Sequence, residues 1–190
     1  MRIYNSATHK KEEFQPIESG KVRMYVCGPT VYDNIHIGNA RTFISFDVIR
    51  RWLIASGYEV TFAQNLTDVD DKINAAAKEA GTGIEAITSR FARAYHEDMA
   101  RLGVDVPDIV PHATEHIAEI IGMCESLIAS GHAYAAEGHV LFEIATFPEY
   151  GQLSGRSAED MLAGARVEVA PYKRSPGDFV LWKPSSDDLP

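Results

Sequence analysis

Apolar and polar residues alternate from Lys21 to Cys27, with Val22, Met24 and Val26 on one side and Arg23, Tyr25 and Cys27 on the other. A period of two predicts a β-strand, and the Gly28-Pro29 pair closes it. The period then changes. Between Asn39 and about Ser56, the residues Phe43, Ile44, Phe46, Val48, Ile49, Trp52 and Leu53 cover much of a helix, with Gly57 as its stop. A second strand is predicted over Glu59 to Gln64. Strand, helix and strand in this order build a parallel pair with a right-handed crossover.

Further along, Asp70 and Asp71 open a helix whose dipole they complement, by about 0.3–1 kcal/mol each. Ile84, Ile87, Phe91, Met99 and Leu102 then recur at amphipathic spacing, and Pro107 and Pro111 bracket a boundary. Ile117, Ile120, Ile121, Cys124, Leu127 and Ile128 line another helix, ending near Gly131. After it, Val140 to Ile144 and Phe179 to Trp182 read as short strands between loops rich in Gly, Pro and Ser. Ser157 with Asp160 reads as a capping box. Residues 1 to 20 read as polar and irregular. The chain therefore opens as α/β over residues 1–110 and continues as a mixed region over 111–190.

The formal net charge is −9, with acidic residues spread along the 190-residue chain. That excludes a general nucleic-acid sponge while leaving room for one basic face. Two distant cysteines are no disulfide framework, so a reducing compartment is expected. No apolar stretch is long enough for a signal peptide or a membrane span. These features predict a cytoplasmic protein without a membrane partner.

Chemistry concentrates between the two strands. His36-Ile37-Gly38-Asn39 falls at a predicted helix start, where unpaired backbone N–H groups and the dipole favour phosphate. The plainer alternative makes Asn39 a helix cap and His36 a loop residue. Asn65 to Asp71, "NLTDVDD", follows the second strand, where open α/β sheets place ligands. Its aspartates suggest magnesium or a dehalogenase-like phosphatase, but a lysine follows Asp71, and a helix start explains Asp70 and Asp71 more simply. "GTGIEA" (81–86) fits a dinucleotide-binding string but follows a helix, so its context fails. "HATEH" (112–116) fits an inverted zinc-peptidase string, yet it opens a helix immediately after Pro111.

The combination "MYVCGPTVYDNIHIGNARTF", "NLTDVDDKI", "HATEHIAEIIGMCESLIASGHAY", "AGARVEV" and "DFVLWKP" resembles the N-terminal part of the cysteinyl-tRNA synthetases. The resemblance covers nearly the whole chain. It implies a class I catalytic domain: a Rossmann-like parallel-sheet nucleotide-binding fold in the first half, with a mixed α+β insertion. It implies ATP-dependent activation of L-cysteine, with Mg2+, followed by transfer to tRNA(Cys). His36 and Asn39 would serve the phosphates, the asparagine standing where the usual motif has a second histidine. Gly28, Thr30, Gly38, Thr42, Asn65 and Thr67 would line the adenylate pocket.

The same resemblance makes Cys27 a ligand of a Zn2+ that selects thiolate over hydroxyl, a preference of soft-ligand chemistry rather than of shape. By spacing alone Cys27 is a small residue at a strand end, and Cys124 lies on an apolar helix face. The family's other three zinc ligands, its Lys-Met-Ser-Lys-Ser loop and its anticodon-binding helices are expected beyond residue 190. This chain alone is expected to hold no stoichiometric zinc and to charge no tRNA. A monomer is expected. The competing readings are the related ligase that joins cysteine to an amino sugar in mycothiol synthesis, and a nucleotide-binding module without turnover.

Overall fold

The computed structural model describes residues 1–155 and 170–185, and the Ser157–Asp160 capping box lies outside them. Arg2–Asn5 (β1) and Lys10–Glu13 (β2) pair antiparallel, Arg2 opposite Glu13. Residues 1–20, expected to be irregular, thus contain a hairpin. Nearly every residue of both strands is exposed, so no alternation marks them. Asn5 Oδ1 accepts the Ala7 N–H within the turn, and His9 takes a φ of 55°.

Lys21–Val26 (β3) and Glu59–Gln64 (β4) are parallel neighbours, with Val22 opposite Val60 and Val26 opposite Gln64. The intervening helix, Ile37–Ala55 (α1), starts two residues earlier than expected because His36, not Asn39, is its cap. At its end Gly57 takes φ 91°, where a side chain would be strained. This lets Tyr58 N–H reach Leu53 O at 3.2 Å and Gly57 N–H reach Ile54 O at 2.9 Å.

The buried face of α1 differs from its apolar count. Ala40, Phe43 and Leu53 are buried, but Val48 and Trp52 are 59 % and 62 % exposed, while Asp47 is buried. Asp47 keeps its charge satisfied through Arg51 Nε at 2.7 Å and the Asp105 N–H at 3.2 Å. Arg51 also donates to Gly103 O at 2.8 Å, which ties α1 to the 103–105 loop.

Asp71–Ala80 (α2) and Ile84–Arg101 (α3) follow as a helical pair. Gly81 ends α2 in the left-handed region and Gly83 caps α3, so "GTGIEA" is the turn between two helices and the start of the second. Val31, Ala40, Phe43, Leu66, Tyr95 and Met99 form one core cluster, and Ile73, Ala77 and Ile87 a second. Inside the first, Tyr95 donates to Gln64 Oε1 at 2.7 Å, and burial pushes its hydroxyl up to about 12. Single bridges prolong the sheet past its strand ends, pairing Thr30 with Thr67 and Leu66 with His112.

Pro16–Ile117 pack as one unit, and Met1–Gln15 with Ala118–Asp188 as another. A 3₁₀ turn over Ala113–His116 leads into Ile117–Ala129 (α4). The second unit's three-stranded antiparallel sheet runs Ala133–Ala136 (β5), His139–Phe142 (β6) and Phe179–Trp182 (β7), in that order. The strand expected at Val140 to Ile144 ends at Phe142, and Ile144 begins a 3₁₀ turn. Buried Asp178 gathers Tyr134 OH at 2.8 Å, Ser175 N–H at 3.1 Å and Ile144 N–H at 3.2 Å. Among the described residues, no helix is long and apolar enough to cross a membrane.

Candidate active site

A cavity of about 520 Å³ opens beyond the C-terminal end of β3, within the Pro16–Ile117 unit. Six of the residues singled out from the sequence line it: Cys27, Gly28, Thr30, His36, Asn39 and Thr42. Gly38, Asn65 and Thr67 are outside its lining and act on it from behind.

The side chains of His36 and Asn39 both accept backbone N–H groups at the start of α1. The Gly38 N–H donates to His36 Nδ1 at 3.0 Å, and the His36 N–H donates to Asn39 Oδ1 at 3.2 Å. Both are acceptor contacts, and they sort the remaining chemistry. With Nδ1 accepting, the ring proton belongs on Nε2, and the Asn39 amide keeps both its hydrogens. Among the described residues neither Nε2 of His36 nor Nδ2 of Asn39 has a partner. The expectation that unpaired backbone N–H groups receive the anion therefore narrows to the first residue of the helix, Ile37. The N–H groups of Gly38, Asn39 and Ala40 are all taken up by His36, and the side chains of His36 and Asn39 add donors beside the Ile37 N–H. Gly38 leaves room for the imidazole, because a β-carbon there would stand 2.7 Å from His36 Cε1.

The cavity floor is held from the neighbouring strand. Asn65 Oδ1 accepts the Gly28 N–H and the Tyr25 hydroxyl, both at 2.9 Å, while its Nδ2 donates to Thr67 Oγ1 at 3.1 Å. Thr67 N–H reaches Pro29 O at 3.0 Å, and Val31 N–H reaches Thr67 O at 3.1 Å. Asn65 and Thr67 are thus braces for the Gly28–Val31 segment. Thr42 Oγ1 turns back to Gly38 O at 3.4 Å.

Cys27 is an exposed thiol in the cavity wall. As a soft donor open to the cavity it fits one position of a zinc site. The described residues contain no group of three or more His, Cys, Asp or Glu side chains able to hold a metal ion, so they do not complete the set. Tyr25, two residues back, has its hydroxyl pKa raised by burial and by the nearby Cys27 sulfur.

The zinc-peptidase string would set His112 and His116 on one metal. His112 instead faces Asp68, with Nδ1 3.2 Å from Oδ2. Asp68 also takes the Thr114 hydroxyl at 2.6 Å and the Thr114 N–H at 2.9 Å. Burial works against the charge of Asp68, but Thr114 and then His112 outweigh it, so its carboxyl lies below the usual range. These residues line a second cavity of about 310 Å³ against α3. Sequence reasoning missed Asp68, because nothing in "NLTDVDD" separates the aspartate that clamps a distant turn from those that open α2. It also missed Lys72, which lines the first cavity from the first turn of α2.

A parallel strand–helix–strand unit, with a His-Ile-Gly-Asn turn opening its helix over this cavity, has the form of a class I aminoacyl-tRNA synthetase catalytic domain. Residues 13–190 match the family of class I (C) tRNA synthetase catalytic domains, and the chain belongs to that family. Among its relatives are cysteine–tRNA ligases. The chain is 60% identical over 190 residues to that of Parvibaculum lavamentivorans, covering 100% of this chain and 41% of the relative. It is 58% identical over 190 residues to the Rhodospirillum rubrum ligase, again covering 100% of this chain and 41% of the relative. The chain thus spans about two-fifths of the length of these relatives.

Two solved structures share the fold. Mycobacterium tuberculosis methionyl-tRNA synthetase in complex with methionyl-adenylate superposes with a TM-score of 0.55 at 21% identity, over 60% of this chain and 23% of that one. The ternary complex of Agrobacterium radiobacter K84 agnB2 LeuRS with tRNA and LeuAMS gives 0.55 at 21% identity, over 70% and 17%.

Proposed function

We propose that this chain supplies the nucleotide-facing and cysteine-facing walls of a cysteine–tRNA ligase. The observation that carries the reading is the cap built by the His36 and Asn39 side chains, which leaves two side-chain donors at a cavity also lined by an exposed thiol. In the reaction, a carboxylate oxygen of L-cysteine attacks the α-phosphorus of ATP. The bond to the bridging oxygen breaks, and pyrophosphate leaves with its electron pair. A terminal ribose hydroxyl of tRNA(Cys) then attacks the carbonyl carbon of the adenylate, and AMP leaves.

His36 Nε2–H and the Asn39 amide donate to phosphate oxygens as charge builds on them, an electrostatic contribution that needs no covalent step. Gly28 and Thr30 are held in the wall by Asn65 and Thr67, which fixes where the reactants lie. Mg2+ accompanies ATP in this reading. Cys27 is one ligand of a Zn2+ completed by groups outside the described residues; when bound, zinc supplies a preference for thiolate over hydroxyl. Relatives at 58% to 60% identity named as cysteine–tRNA ligases support tRNA(Cys) as the acceptor over an amino sugar. A monomer working in the cytoplasm completes the proposal.

The test is cysteine-dependent exchange of pyrophosphate into ATP, followed by charging of tRNA, in a polypeptide of the relatives' full length that carries this segment. Exchange with cysteine and not with serine is the expected result. Exchange without charging would favour the amino-sugar ligase, and nucleotide binding without exchange would favour a module lacking turnover.

A further inference from the structure

Lys72 sits in the first turn of α2, directly after Asp70 and Asp71. A cation there opposes the helix dipole, which costs about 0.3–1 kcal/mol at an exposed position. Among the described residues the Lys72 ammonium makes no ion pair, and Asp70 Oδ1 is occupied by the Lys72 backbone N–H at 2.9 Å. The ammonium lies instead over the Tyr32 ring, 5.1 Å from its centroid. That ring is anchored, because Tyr32 packs against the Ile73, Ala77 and Ile87 cluster.

Lys72 and Tyr32 line the same cavity as His36, Asn39 and Thr30. The other formal charge in that wall is Asp33, whose Oδ1 is held by the Asn34 N–H at 2.7 Å. The side-chain donors at the start of α1 are an imidazole N–H and an amide. A polyphosphate drawn out of water into such a cavity keeps several negative charges, and within this wall the two α1 side chains compensate them poorly without a cation. A cation–π contact holds the ammonium in place through one face and leaves its N–H donors for oxygen.

We propose that Lys72 is a phosphate-binding residue, a preorganised counter-charge for the triphosphate of ATP and for departing pyrophosphate. The starts of α1 and α2 then act on one ligand from two sides. The proposal rests on the ATP-dependent reading above and adds a residue of this segment that brings positive charge to the phosphates.

The experiment compares Lys72→Gln and Lys72→Arg in a polypeptide of the relatives' full length, with Lys78→Gln in the last turn of the same helix as a control. Removing a cation from the helix start relieves the dipole by about as much as losing the Tyr32 contact costs, so Lys72→Gln should melt close to the parent. Its Kd for ATP and its inhibition constant for pyrophosphate should rise about ten-fold. Inhibition by adenosine, which has no phosphate, should be unchanged, and Lys72→Arg should recover most of the loss. Equal weakening of adenosine and ATP would make the effect structural and overturn the proposal. If the parent binds ATP and exchanges pyrophosphate while Lys72→Gln matches it, the Lys72 assignment alone falls. If the parent binds no ATP, the assignment and the functional reading fall together.

Discussion

A β-carbon placed on Gly28 would lie 1.7 Å from the carbonyl oxygen of Asn65. The two residues are 37 apart in sequence, and the Gly28 N–H also donates to Asn65 Oδ1 at 2.9 Å. Glycine is therefore required by the backbone of the next strand, independently of any ligand. Gly28→Ala must push β3 and β4 apart where the cavity begins. The expected cost is about 1–3 kcal/mol, read as a lower melting temperature, together with weakened nucleotide binding. An alanine variant of parental stability would show that the two strand ends yield freely. Asn65→Ala leaves the Gly28 N–H and the Tyr25 hydroxyl without an acceptor, and should cost about 1–3 kcal/mol.

In the proposed reading His36 and Asn39 each cap α1 and serve phosphate, and substitutions can separate the two roles. Asn39→Asp keeps an acceptor for the His36 N–H but replaces an amide donor with a negative charge facing phosphate. The helix should stay capped, with circular dichroism unchanged, while pyrophosphate exchange falls about 100-fold or more. Asn39→His restores a ring donor and should retain much of the activity. His36→Ala should slow adenylate formation while leaving cysteine binding nearly intact; unchanged exchange kinetics would remove the histidine from the mechanism.

Asp68 should leave a signature at low pH. Its carboxyl lies below the ordinary 3.8 in the folded chain, so the unfolded chain takes up the proton first as pH falls. The stabilisation it provides is complete well above pH 3.8 and is lost as pH drops through the folded value. Asp68→Asn should therefore lower stability at neutral pH by about 2 kcal/mol and flatten the fall in stability below about pH 4. Denaturant titrations at several pH values measure both, and an acid limb identical to the parent's would place the charge of Asp68 elsewhere in the balance.

The two thiols should differ sharply. Cys27 is exposed, whereas Cys124 is buried and burial raises its pKa. A disulfide reagent should titrate one thiol fast and one slowly in the native 190-residue chain, and Cys27→Ser should abolish the fast phase. Elemental analysis of that chain should find less than one zinc per molecule, because a lone thiolate lacks chelating partners. A tightly held equivalent would mean that further ligands come from within the segment or from a second copy.

The β3–α1–β4 unit was readable from local pattern. Val22, Met24 and Val26 alternate with exposed residues, Gly57 stops a long apolar helix, and parallel strands need a crossover of that length. The His36–Asn39 tetrapeptide was readable too, because its place between strand and helix follows from the same periods. Tertiary structure decided what those residues do. Which nitrogen of His36 is free depends on how its ring folds over Gly38, and period carries no information about a rotamer. Asn65 and Thr67 became braces because β4 runs beside β3, a pairing between residues some forty apart. Asp47 went inward while Val48 and Trp52 stayed out, because Arg51 and the 103–105 loop satisfy a charge that hydrophobic patterning assigns to solvent. The β1–β2 hairpin left no trace in the pattern, since strands exposed on both faces have no reason to alternate. Local sequence thus determined elements whose burial is periodic. Polar partnerships are set by three-dimensional proximity, so Asp68, Lys72 and the orientation of the His36 ring emerged only in the folded chain.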